Sequence, residues 1–191
     1  MSEKYRCFLA IDINQDLIQN ILKVQNEFKK TENNIKYVEK ENFHFTLKFF
    51  GDIDKKKIIE VKNVIRKVLN ENNLKDEFSN QISIKGIGTF PNENYMKVLW
   101  VGSENNPFLT KLHEKLDSEF KKIGFKLDKN FKTHITIGRI RNLRDKKEFK
   151  SKIRELKDIE IGNMDIEKIS LKKSELTPNG PIYSEIKIFD L

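Results

Sequence analysis

The chain has 191 residues, with 37 Lys and Arg against 29 Asp and Glu, a net charge of +8 and one cysteine, Cys7. A single cysteine excludes an internal disulfide. No apolar run approaches the ~18 residues of a membrane helix, and Asp12 breaks the first apolar run too early for a leader peptide. The chain therefore reads as one cytoplasmic domain, 1–191, with no membrane partner.

The basic balance, with a pI near 9.3, favours an anionic partner such as nucleic acid. Most of the excess is lysine, since only six arginines occur, and lysine-rich helix faces are commonly plain solvated surface. Charge alone does not decide the partner.

In chain order, "YRCFLAID" predicts a short buried strand, with Cys7 a small hydrophobe rather than a reactive thiol. Leu17, Ile18, Ile21, Leu22, Val24 and Phe28 recur at helical spacing over residues 14–30, with Asn14 placed to cap them. "IKYV" is a short strand, and "FHFTLKFFG" a longer one closed by Gly51. Asp54 can cap the next helix, whose stripe is Ile58, Ile59, Val61, Val64, Ile65, Val68 and Leu69. "QISIKGIGTF" and "MKVLWVG" follow as strands around the turn-rich "PNEN".

The second half has a similar order. A helix starts at Asn105 or Asn106 with Pro107 in its first turn, and Phe108, Leu112, Leu116 and Phe120 form its face. "FKTHITIGRI" is a strand. Residues 145–156 look helical through Phe149, Ile153 and Leu156. "DIEKISLKKSEL" and "IYSEIKIF" alternate as strands joined across "TPNGP". Meandering strands with flanking helices predict an α+β fold.

One pattern occurs twice: "HFTL" at 44–47 and "HITI" at 134–137. Side chains alternate across a strand. His44 and Thr46 then share one face, with Lys48 beside them, and Phe43, Phe45, Leu47 and Phe49 take the other. His134 and Thr136 share a face, and Ile135 and Ile137 the core side. A lone His-x-Thr is ordinarily a half-buried strand residue. Two of only three histidines, each followed by one of only seven threonines in the same strand context, point to a shared site. The third, His113 in "TKLHEKL", lacks that context and reads as a boundary histidine without catalytic work.

Two imidazoles titrating near neutrality suit a general acid and a general base. Two hydroxyls suit the non-bridging oxygens of a phosphate. Lys48 and Arg139 can add positive charge. Arg139 falls off the catalytic face of a regular strand, and Gly138 allows a bulge that would re-aim it. The nucleophile is expected to be water. No third and fourth zinc ligand at familiar spacing and no carboxylate cluster accompany the histidines, so neither metal nor cofactor is expected.

These residues resemble the 2H phosphoesterase superfamily, and more closely its RNA 2′,3′-cyclic phosphodiesterase family, also called the 2′-5′ RNA ligase family. The resemblance rests on both His-x-Thr motifs and on "RCFLAIDI", "HFTLKFFG", "GIGTFP", "VLWVG", "HITIGR" and "SELTPNGPIY" in family order, which covers nearly the whole chain. Phe50 departs from the family's usual leucine, and isoleucine replaces leucine in the second motif. Neither touches a reacting group.

The resemblance implies two packed lobes, each an antiparallel sheet flanked by helices, related by a pseudo-twofold around a central cleft. It implies metal-independent hydrolysis of RNA 2′,3′-cyclic phosphate ends to 2′-phosphates. His44 would be the proton donor to the leaving 3′-oxygen and His134 the proton acceptor from water. Thr46 and Thr136 would hold phosphate oxygens. The residues alone do not fix which histidine is acid and which is base. Ligation through a 2′-5′ linkage at the same site, or a non-catalytic RNA-end module, stand as alternatives. Phe50, Phe90 and Tyr183 are candidates for stacking on a base, though each reads more readily as a packing residue. A monomer is the default.

Overall fold

The computed structural model describes residues 3–71, 74–178 and 180–191. The elements run β1 (Lys4–Asp12), α1 (Gln15–Lys29), β2 (Asn34–Tyr37), β3 (His44–Asp54), α2 (Lys55–Asn70), α3 (Leu74–Glu77), β4 (Gln81–Asn92) and β5 (Tyr95–Ser103). They continue as α4 (Pro107–Lys122), β6 (His134–Asn142), α5 (Lys146–Glu155), β7 (Glu160–Asp165), β8 (Lys168–Thr177) and β9 (Gly180–Asp190). The fold is α+β, as the alternation of strand and helix patterns implied.

The helix ends follow their caps. Asp54 accepts from the Lys57 N–H at 2.8 Å and starts α2. Asn106, not Asn105, accepts from the Leu109 N–H at 2.8 Å and starts α4, with Pro107 as its first residue. Asn14 precedes α1 but makes no side-chain cap. β7 and the short α3 were not anticipated: β7 carries Gly162 and Asn163, which blur its alternation. The turn expected at "TPNGP" includes Asn179, which lies outside the described residues.

All strand pairs are antiparallel, in the order β7-β4-β5-β6-β3-β1-β8-β9, with β2 added on β6. The two sheets implied by the resemblance are thus continuous. Between β6 and β3 a single register pair, Phe45 opposite Ile135, joins them. The seam divides β7-β4-β5-β6, with β2 added, from β3-β1-β8-β9, and the two His-x-Thr strands are neighbours there.

The helices cross over. α1 leaves β1 but packs on β6, β7 and α5 of the other half. α4 leaves β5 but packs beside α2, with Phe120 against Phe50 of β3 at 4.9 Å between ring centroids. Leu9, Phe45, Leu47, Leu99, Ile135 and Ile137 are all buried beneath the sheet in one apolar core. No described helix is long and apolar enough to cross a membrane.

Candidate active site

Both motif strands bulge at the same place. In β3, Ala10 pairs with Thr46 but Leu9 with Lys48, so Leu47 is skipped. In β6, Trp100 pairs with Thr136 but Leu99 with Gly138, so Ile137 is skipped. An extra residue inverts the alternation beyond it. Up to the bulge, His44, Thr46, His134 and Thr136 remain half-buried on the cleft face, as their spacing predicted.

Past the bulge, Arg139 turns outward on the cleft side, as the Gly138 reading anticipated. Glycine is needed at 138 because a Cβ there would lie 2.8 Å from the Ile35 side chain of β2.

The same bulge overturns the expectation for Lys48. Its side chain is 4 % exposed and lies on the core side of β3. The ammonium is bonded to Asp117, to Asp128 Oδ1 at 2.9 Å and to the Lys126 carbonyl at 2.7 Å. All three of its N–H donors are thereby used. Phe49, expected in the core, is 70 % exposed in the position equivalent to Arg139.

Each imidazole is held the same way. His44 Nδ1 lies 2.7 Å from the Asn42 carbonyl and His134 Nδ1 lies 2.7 Å from the Lys132 carbonyl. A carbonyl only accepts, so each Nδ1 carries the proton. The neutral ring then presents an unprotonated Nε2, and the protonated ring presents an Nε2–H donor. Either histidine is therefore set to take or give one proton at one atom.

Burial lowers the pKa of His44 to about 4, and the positive charges of Lys172 and His134 push the same way. The Asn42 carbonyl and Asp12 oppose the fall. Burial also lowers His134, aided by Lys132 and opposed by the Lys132 carbonyl.

The two walls are lined differently. His44 lies 5.1 Å from the Phe8 ring and 5.5 Å from Tyr183, which also meet each other edge-on. Behind it, Lys172 and Asp12 form an ion pair at 2.6 Å. His134 meets Phe90 edge-on at 4.8 Å, with Trp100 beyond at 6.4 Å. The Lys132 ammonium lies 4.4 Å from the Trp100 ring centroid. The indole lies against Gly88 and Gly102, where a Cβ would come within 2.3 Å and 3.0 Å of it. Burial raises the Tyr183 hydroxyl pKa, and Arg139 and Arg6 pull it back.

Of the stacking candidates, Phe90 and Tyr183 stand beside the histidines. Phe50 does not: it is buried between Phe120 and Phe125. His113 is not a boundary residue either. It is 6 % exposed, stacked on Phe131 at 3.7 Å and 3.2 Å from Asp128 Oδ2 through Nε2. Sequence reasoning missed Lys132, Trp100 and the Asp12–Lys172 pair. Lys132 carried a signal, since it stands two residues before His134, as Asn42 does before His44.

His113, Asp117 and Asp128 are the one group of potential metal ligands among the described residues. Their carboxylates already hold the Lys48 ammonium. A cavity of about 790 Å³ adjoins the His134 wall, sharing Trp100 and Lys132 with it and also lined by Lys85 and Lys157.

The sequence model described as the AKAP7 2′5′ RNA ligase-like domain matches residues 5–191. A protein of Methanothermobacter thermautotrophicus named RNA 2′,3′-cyclic phosphodiesterase is 40 % identical, over 98 % of this chain and 100 % of its own. Another of that name, from Methanocaldococcus jannaschii, is 42 % identical over 95 % and 98 %. The crystal structure of Escherichia coli LigT complexed with 3′-AMP shares the fold at a TM-score of 0.77 and 19 % identity, over 99 % of both chains. The crystal structure of TT0787 from Thermus thermophilus does so at 0.76 and 22 %, over 97 % of both. The chain belongs to the AKAP7 2′5′ RNA ligase-like domain family, within the 2H phosphoesterase group that its paired His-x-Thr strands resemble.

Proposed function

We propose that this protein hydrolyses RNA 2′,3′-cyclic phosphate ends to 2′-phosphates, without a metal, in the cytoplasm. The observation that carries the reading is the repeated imidazole geometry: two rings on adjacent strands, each with Nδ1 tied to a carbonyl and Nε2 left for proton transfer. The names of the curated relatives support the substrate class.

In this mechanism the cyclic phosphate lies across the β3–β6 seam. Thr46 and Thr136 donate to its non-bridging oxygens, and Arg139 supplies the cation that Lys48 was expected to share. Neutral His134 takes a proton from an in-line water. Protonated His44 gives one to the departing 3′-oxygen. Fixed donors and the guanidinium stabilise the added negative charge of the pentacoordinate state.

The depressed pKa of His44 bears on this assignment. Burial, which lowers its pKa to about 4, keeps His44 neutral at pH 7. A bound phosphate anion favours the imidazolium, raising its pKa as the substrate arrives. Asp12, which already acts on His44 in that direction, assists.

The test is incubation with an oligonucleotide ending in 2′,3′-cyclic phosphate, with EDTA present. A 2′-phosphate product supports the proposal. Longer, 2′-5′-linked chains would favour ligation at the same site, and bound but unchanged RNA a binding module. Loss of turnover in EDTA, restored by a divalent ion, would overturn the metal-free step.

A further inference from the structure

The buried polar groups that the reaction does not use form two links with one plan. In α1, Gln25 is 1 % exposed, yet its Nε2 donates to the Val38 carbonyl and to the Ile137 carbonyl, each at 2.8 Å. Val38 lies in the segment that delivers His44. Ile137 is the bulged residue of the strand that carries His134.

In the other half, Lys48 stands at the bulge of the strand that carries His44. It reaches the Lys126 carbonyl and Asp128 in the segment that delivers His134. Asp117 of α4 completes this link, accepting from Lys48 through Oδ1 and from the Asp128 N–H through Oδ2 at 2.9 Å. His113 and Phe131, stacked together, fasten the same segment.

Gln25 and Asp117 each stand eleventh in their helix. Each helix crosses to the opposite half, and each link joins the bulge of one motif strand to the segment leading into the other motif. A buried amide or ammonium is tolerated only when its hydrogen bonds are met, and here they are met by backbone whose place sets a histidine.

We propose that Gln25 and the Lys48–Asp117–Asp128 cluster are positioning residues, which hold His44 and His134 in mutual register. The inference rests on the proposed hydrolysis. Each link fixes the carbonyl-bearing segment that chooses a ring's tautomer. Loosening a link leaves substrate contacts in place but lets Nε2 drift from the reacting oxygen.

The test uses Gln25→Leu and Asp128→Ala in the full chain. Asp128→Ala is preferred to a Lys48 variant because Lys48 keeps Asp117 and the Lys126 carbonyl, so the fold survives. Each variant is expected to lower kcat by about ten- to a hundredfold, the scale of a small misplacement of a reacting group, with KM within about twofold. Imidazole ¹⁵N NMR should show the Nδ1–H tautomer weakened at His44 in Gln25→Leu and at His134 in Asp128→Ala. Val61→Ala, a core variant in α2, is the control: it should lower the melting temperature without moving kcat or either tautomer. Wild-type kcat and wild-type tautomers in both link variants would overturn the proposal, as would an equal loss of kcat in the control. If the wild type turns nothing over, the hydrolase reading fails, and the ¹⁵N spectra still decide the positioning.

Discussion

The two walls of the cleft are alike in their backbone and unlike in their side chains. Both motif strands bulge one residue past the threonine, and both histidines bond Nδ1 to the carbonyl two residues back. Beyond that the halves diverge. The bulge holds a buried lysine in one and a glycine in the other, and the residue turned to the cleft is Phe49 in one and Arg139 in the other. His44 is backed by Phe8, Tyr183 and an Asp12–Lys172 ion pair, whereas His134 has Phe90, Trp100 and Lys132. What both halves keep is what any acid–base pair needs, a fixed tautomer and a fixed ring. What differs is the setting of each ring: burial beside Lys172 depresses His44 to about 4, and burial beside Lys132 also lowers His134.

The shared part is broken by removing either ring. His44→Ala and His134→Ala should each lower turnover by roughly 10²–10⁴-fold, the usual reach of general acid–base catalysis, in a steady-state assay on the cyclic phosphate. The divergent part is tested next. Arg139→Ala should cost about 10²–10³-fold in kcat, as loss of one donor to developing charge does. Phe49→Ala, its counterpart across the seam, should change kcat less than about threefold. Equal losses at the two positions would mean that the guanidinium has no special part. Thr46→Ala and Thr136→Ala should each lower kcat/KM by about tenfold, close to one charge-assisted hydrogen bond.

The smallest expected effect concerns pH. The proposed mechanism requires His44 protonated and His134 neutral in the active free enzyme. Since His44 titrates near 4 and His134 below its ordinary value, kcat/KM should peak on the acid side of pH 6.5. The optimum of kcat should lie higher, because bound phosphate raises the pKa of His44. These are macroscopic values of the coupled pair. Lys172→Met removes a positive charge that lowers the His44 pKa and frees Asp12, which raises it. More His44 is then protonated at a given alkaline pH, so kcat/KM there should rise, and a fall would contradict the electrostatics.

Much of this is legible in the sequence. The periodicity located most helices and strands, and the duplicated motif located both histidines and both threonines on one face. The failures share a cause. A strand's alternation predicts faces only while the register is regular, so Lys48 and Phe49, which follow a bulge, were assigned the wrong sides. At 138 the bulge was readable because glycine marked it, but Lys48 carried no such mark. Gln25 was invisible for another reason: its partners are carbonyls 13 and 112 positions away, and backbone acceptors leave no trace in residue identity. His113 read as a boundary residue because Asp128 and Phe131, which bury it, come from a loop after its own helix.

The most direct test is a double-mutant cycle on the two histidines, reading single-turnover rates of cyclic phosphate hydrolysis. If the rings act as acid and base in one step, His44→Ala and His134→Ala are strongly non-additive, and the double variant falls little further than the worse single one. Losses that multiply, or full activity in both single variants, would contradict the account.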